Sequence, residues 1–203
     1  MLSGHEEPIM NDPGPARTPG RAALMVIAFL VAIAAGIGLG ALVLGGGDDT
    51  APEEEQAVAG VQTFEVESRN HVEEPVDYEQ TPPVGGDHAG TWQNCGFYDE
   101  SIFTELGVHS LEHGAVWITY QPDLADPDRA TIEELAQEDF VLATPWTDGE
   151  LPAPVVLSAW GAQLAVDDLS DESVAEFIES YAQAETAPEP GARCTGGYED
   201  PAG

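Results

Sequence analysis

The chain has 203 residues, with 38 acidic side chains against five arginines and no lysine, for a formal net charge of −33. A polyanion of this kind is repelled by phosphate backbones, which excludes nucleic acid as a partner. A hydrophobic share of 42% is enough for a packed core and excludes disorder throughout; the length allows one ordinary domain and an anchor.

Residues 1–21 are polar and rich in proline and glycine, and read as a disordered cytoplasmic tail. Residues 22–44 hold no charge and no proline. At about 1.5 Å per residue they reach about 34 Å, enough to cross a hydrocarbon core of about 30 Å as a transmembrane helix. Arg17 and Arg21 lie just before this run, whereas Asp48, Asp49 and Glu53 to Glu55 follow it. Only Lys and Arg set orientation, so the N-terminus is expected in the cytoplasm and the remainder outside the cell membrane. The apolar run is longer than a cleaved signal peptide needs, and no small-residue cleavage site follows, so an uncleaved signal anchor is expected. Ala32, Gly36 and Gly40 form a small-xxx-small face on which two such helices could pair. Residues 45–60 read as an acidic, extended linker.

Residues 61–203 are expected to form one extracytoplasmic α+β domain with a mostly antiparallel sheet and two to three helices. Val61 to Val66 alternates as a strand does. A long stretch, 69–101, is irregular, with Pro82-Pro83, Gly85-Gly86 and Cys95-Gly96. The β-branched and aromatic run 115–120 reads as a buried strand. Asp126-Pro127 reads as an N-cap and first helical position, opening a helix through Gln137 with Ile132, Leu135 and Ala136 facing the core. Strands are expected over 139–144, 155–160 and 163–166. A final amphipathic helix, 171–184, buries Val174, Phe177, Ile178 and Tyr181. Strands outnumber helices, with no βαβα rhythm.

Cys95 and Cys194 both follow the anchor. In an oxidising compartment an even count favours a disulfide, and the alternative is Cys95 as a free metal ligand. The acidic surface suits a saline habitat, where salt screens self-repulsion, and it also gathers cations.

Four histidines, His71, His88, His109 and His113, fall in the least regular part of the domain, where sites tend to be built. Proline and glycine in 82–88 hold His88 in a turn beside Asp87. If 109–113 is helical, His109 and His113 at i and i+4 share one face, and Gly114 ends the helix. His71 is then a third or fourth ligand. Asp87, Glu105, Glu112 and Tyr98 are candidate ligands or partners that would fix imidazole tautomers. All three methionines (Met1, Met10 and Met25) precede the domain, which disfavours Cu(I) and blue-copper sites. Imidazole with carboxylate suits Cu(II) or Zn(II), with Cu(II) favoured at equal availability. His109-Ser110-Leu111-Glu112-His113 also fits H-x-x-E-H, a metallo-hydrolase pattern with Glu112 as general base. Gly114 and a strand follow at once, which is the wrong context, and Glu112 is the sole weak catalytic candidate. A non-enzyme is therefore favoured. The readings that stand are a membrane-anchored, copper-handling metal protein, a non-catalytic envelope interaction module with its histidines in a hydrogen-bonded core, and a metallo-hydrolase.

His71, Tyr78, the segments 82–88, 94–98, 108–120, 157–161 and 188–194, and Trp92 together resemble a bacterial family known only as domain-of-unknown-function family 3105. The resemblance covers nearly all of the domain after the anchor. It implies a single anchor followed by an envelope domain in the company of copper-handling proteins. It implies no catalytic residue.

Overall fold

A computed structural model describes residues 57–202. The expected tail, transmembrane helix and helix-pairing face (Ala32, Gly36 and Gly40), and most of the expected linker, lie outside the described residues. Among the described residues no helix is long and apolar enough to cross a membrane.

The elements in chain order are β1 (Gln62–Thr63), β2 (Gly96–Phe97), α1 (Thr104–Glu112), β3 (Val116–Tyr120), α2 (Asp126–Leu135), β4 (Val141–Pro145), β5 (Val155–Ala159), β6 (Ala162–Val166) and α3 (Glu172–Tyr181). They form an α+β fold around a six-stranded sheet of order β1-β6-β5-β3-β4-β2. Three of the five strand pairs are antiparallel and two, β3 with β4 and β4 with β2, are parallel. The parallel pair β3–β4 needs a crossover, and α2 supplies it. One strand–helix–strand unit is thus present where the sequence suggested no such rhythm.

Alternate residues of β3 explain the layering. Val116 and Ile118 pack with Leu157 against Ile132 of α2 and Val174, Phe177 and Ile178 of α3. Trp117 points the other way, with Leu142 and Val156, onto Leu111 of α1. Helices therefore cover both faces, and α1 lies alone on one of them. Several boundaries differ from expectation by one to three residues, among them the end of α2 at Leu135, β4 at Val141–Pro145 and α3 at Glu172–Tyr181, and two differences have a visible cause. The first strand is two residues, because beyond Thr63 its pairing with β6 stops at Ala162. The second helix begins one residue early, with Ala125 at the N-cap and no side-chain cap. In α3, Asp171 does cap, accepting from Ser173 N at 3.0 Å.

Two glycines set the position of α1. Gly107 faces Trp117, and a Cβ there would sit 2.7 Å from the indole ring. Gly107→Ala is therefore expected to overpack the helix–sheet contact and cost about 1–3 kcal/mol, read as a lower midpoint in urea unfolding. Gly114, at φ +92°, ends the helix. Its N–H donates to Leu111 O (2.9 Å) and the Ala115 N–H donates to Ser110 O (2.9 Å), the paired bonds of a Schellman stop.

Cys95 and Cys194 form a disulfide with Cα atoms 5.3 Å apart. The C-terminal segment is thereby strapped across the loop before β2. Cys95 N donates to Cys194 O and Asn94 N to Tyr198 O, both at 2.8 Å. Cys95 is not available as a metal ligand.

Candidate metal centre

The last turn of α1 and the irregular stretch 69–90 meet at one point. The helix contributes His109, Glu112 and His113 at i, i+3 and i+4, one face of one turn. The stretch contributes His71 and His88, brought side by side by an isolated parallel bridge. Val72 N donates to His88 O (2.7 Å) and His88 N to Asn70 O (3.0 Å). The turn before His88 is tied to the sheet: Gln163 Nε2 donates to Pro82 O (2.8 Å) and Gly161 N to Val84 O (2.7 Å).

Three of the four imidazoles are pinned alike. His88 Nδ1 donates to Gly86 O (2.8 Å), His109 Nδ1 to Ala89 O (2.7 Å) and His113 Nδ1 to Arg193 O (2.7 Å). A carbonyl only accepts, so each Nδ1 carries a proton, and in the neutral form such a ring turns a bare Nε2 lone pair inward. These lone pairs meet other acceptors. His88 Nε2 lies 3.0 Å from Glu112 Oε2, and His109 Nε2 lies 3.0 Å from His113 Nε2. His88, His109, Glu112 and His113 are all buried, at no more than 4% exposure. Acceptors facing acceptors away from water are costly unless a proton or a metal cation stands between them.

One ligand atom from each of His71, His88, His109 and Glu112 falls within a 4.8 Å set. Tetrahedral ligands at about 2.0–2.1 Å from an ion stand about 3.4 Å apart, so closure requires shifts of about an ångström. Three imidazoles and one carboxylate are a donor set for Zn(II) or Cu(II), and the carbonyls on Nδ1 are the partners that orient metal-binding histidines. The residues present therefore fit a metal ion.

The sequence placed four histidines here with Glu112 beside them. In the fold Glu112 completes the set of four, and His113 stands next to His109, with Glu189 Oε2 3.8 Å from its Nε2. The other candidates are engaged elsewhere. Asp87 Oδ1 accepts from Ser68 Oγ, from Asn70 N (2.7 Å) and from Asn70 Nδ2 (3.0 Å), and these bonds hold its carboxyl below the usual range. It braces the segment that carries His71. Glu105 Oε1 accepts from Val76 N (3.0 Å), and Tyr98 Oη donates to Asn94 O (3.0 Å). Sequence reasoning missed Arg69, whose Nη1 is 3.5 Å from Glu112 Oε1. It also missed the two indole walls, Trp92 4.7 Å from the His113 ring and Trp160 6.1 Å from the His88 ring. Trp92 and Trp160 stood out only by the family resemblance. The three carbonyls are backbone groups and leave no mark in sequence.

Burial pushes the His109 imidazole below its ordinary value. The neighbouring His113, His88 and His71 add to the shift, while the bond to Ala89 O opposes it. His109 is thus held as the neutral, ligating form at pH 7. The unfolded chain takes up this proton from about pH 6.5 downward and the folded chain only at lower pH, so stability falls as pH descends from about 6.5 and levels off below the folded value. Thermal unfolding between pH 8 and pH 5 checks this, and His109→Leu is expected to flatten that part of the profile.

A model of the family described as "Protein of unknown function (DUF3105)" matches residues 71–196. The match begins at His71 and takes in the whole cluster and both cysteines. No curated protein and no solved structure matches the chain. The matched span is more than half of the sequence, and the chain belongs to this family.

Proposed function

We propose that this member of the DUF3105 family is a membrane-anchored protein that binds and hands on a metal ion, Cu(II) before Zn(II), outside the cytoplasm. One observation carries the reading: buried imidazoles fixed through Nδ1 aim their Nε2 lone pairs at a carboxylate and at one another. A cation resolves that arrangement, and the donor set suits a borderline divalent ion. The order of affinities supports copper. The apolar run 22–44 preceded by Arg17 and Arg21 supports the anchor and its orientation. The Cys95–Cys194 bridge supports an oxidising compartment. The partners on this reading are copper-handling proteins of the same envelope.

The H-x-x-E-H alternative is weakened by geometry. Glu112 lies within the ligand set itself, so it is not free to act as general base on a bound water.

Metal content by mass spectrometry tests the proposal on the full chain purified in mild detergent, loaded with Cu(II) or Zn(II) and desalted. About one ion per chain is expected for the wild type and for His113→Ala, and none for His88→Ala/His109→Ala. Cu(II) but not Zn(II) is expected to quench tryptophan fluorescence, because Trp160 and Trp92 wall the site. If folded wild type retains no metal, the histidines are the hydrogen-bonded core of an envelope interaction module.

A further inference from the structure

The four groups of the set differ in one respect that bears on how an ion would arrive and leave. His88, His109 and Glu112 are buried, and the two rings among them are locked through Nδ1 to main-chain carbonyls. The side chain of His71 is 54% exposed. Its ring makes no hydrogen bond among the described residues. It is held by stacking on the His109 ring, with centroids 4.9 Å apart and planes 20° apart, and by an edge contact with His88 at 5.0 Å. Exposed side chains change rotamer within nanoseconds, whereas buried, hydrogen-bonded rings do not. Trp92 lies against the His109 and His113 rings, and the strapped C-terminal segment holds His113 through Arg193 O.

Val72 and Ala89, the residues that follow His71 and His88, line a cavity of about 440 Å³ together with Leu106. Phe103 and Tyr198, the exposed large apolar side chains among the described residues, stand at this opening. Glu73, Glu74 and Glu105 also line it.

Resting on the metal-binding reading above, we propose that His71 is the exchangeable ligand of the site. The ion enters and leaves past it, and the natural exchange partner is a cationic metal carrier that docks on this acid-lined opening. The exchange is a ligand substitution. His71 Nε2 releases the ion and swings into solvent, an imidazole or amine of the carrier takes the vacated position, and no electron changes hands. Charge selects the carrier, because an opening lined by three glutamates on a chain of net charge −33 attracts Lys- and Arg-bearing partners and repels acidic ones.

The test uses the full chain in detergent, loaded with Cu(II). Loss of copper by the wild type itself would sink the metal-binding reading rather than this one. Given a loaded wild type, His71→Ala is expected to keep about one copper per chain and to bind added imidazole at the opened position, returning its electron paramagnetic resonance spectrum to the wild-type form. The wild-type spectrum is expected not to respond. Complete loss of copper from folded His71→Ala, or a retained copper blind to imidazole, would overturn the proposal. Copper transfer to two peptides of equal coordination chemistry, Gly-Gly-His-Lys-Lys amide and Gly-Gly-His-Glu-Glu amide, reads the charge preference. At low ionic strength the basic peptide is expected to be at least about 10-fold faster, the gap closing at about 1 M salt. Equal rates at low salt would refute the cationic carrier.

Discussion

Glu112→Gln is expected to act with opposite sign on the metal-bound and metal-free protein. The substitution keeps shape and removes the one anionic donor from the set of four. Partners that merely orient a metal ligand are worth about 10–100-fold in affinity. Loss of the ligand itself should therefore cost at least about 100-fold, or about 2.7 kcal/mol. The metal-free protein should gain. There the Glu112 carboxylate faces the His88 Nε2 lone pair at 3.0 Å, and a glutamine amide in its place can donate to that nitrogen. One new buried hydrogen bond is worth about 1 kcal/mol, a rise of about 2–4 °C in melting temperature for a domain of this size. Arg69, which the change leaves without its partner, is more than half exposed and is solvated at little expense. The measurement is a pair of melting curves at pH 8, one with chelator and one with saturating Cu(II). A fall of several degrees with chelator present would show that a proton, held between His88 and Glu112 as a buried ion pair, already occupies the position assigned here to a metal.

Removal of the disulfide by Cys95→Ser/Cys194→Ser is the second large effect. The bridge closes a separation of 99 residues. On the chain-entropy argument, a loop of that length stabilises by about 4–5 kcal/mol through restriction of the unfolded chain. Against a total stability of about 5–15 kcal/mol, this is the largest single covalent contribution in the domain. The loss should reach the site unevenly. Arg193, adjacent to Cys194, supplies the carbonyl that fixes His113 Nδ1 (2.7 Å). His88 and His109 are fixed by Gly86 and Ala89, which the bridge does not hold. Denaturant unfolding should thus show a midpoint well below the wild type, while copper affinity in the surviving folded protein should change by less than about 10-fold. A large loss of affinity alongside an unchanged midpoint would mean that the C-terminal strap holds the metal ligands rather than the fold.

Most elements were legible because local signals and tertiary packing agree. The stripe Val174, Phe177, Ile178 of α3 was located by its helical period, and the strands β3, β4 and β5, buried on both faces, by short apolar and β-branched runs rather than by alternation. Gly114 likewise announced the end of α1, because the stop requires a positive φ that a side chain would resist. Where signals were short, boundaries moved. The strand expected at Val61 to Val66 pairs over two residues only, since an edge strand is as long as its neighbour permits. The parallel β3–β4 pairing was not visible, because strand direction depends on where α2 returns the chain and on no property of the strands themselves.

For the site, sequence alone determined the chemistry on offer: imidazoles and carboxylates without a methionine, with His109 and His113 spaced to share one face if their stretch is helical. Two cysteines favoured a bridge, with Cys95 as a free ligand the alternative, and the structure pairs them. Tertiary structure decided the rest. The bridge that sets His71 beside His88, and the choice of Glu112 over His113 as the fourth group, join segments distant along the chain. The carbonyls of Gly86, Ala89 and Arg193 that turn each Nε2 inward are main-chain atoms common to every residue. A linear string records which donors exist; their direction and convergence follow from the backbone path that burial of the core imposes.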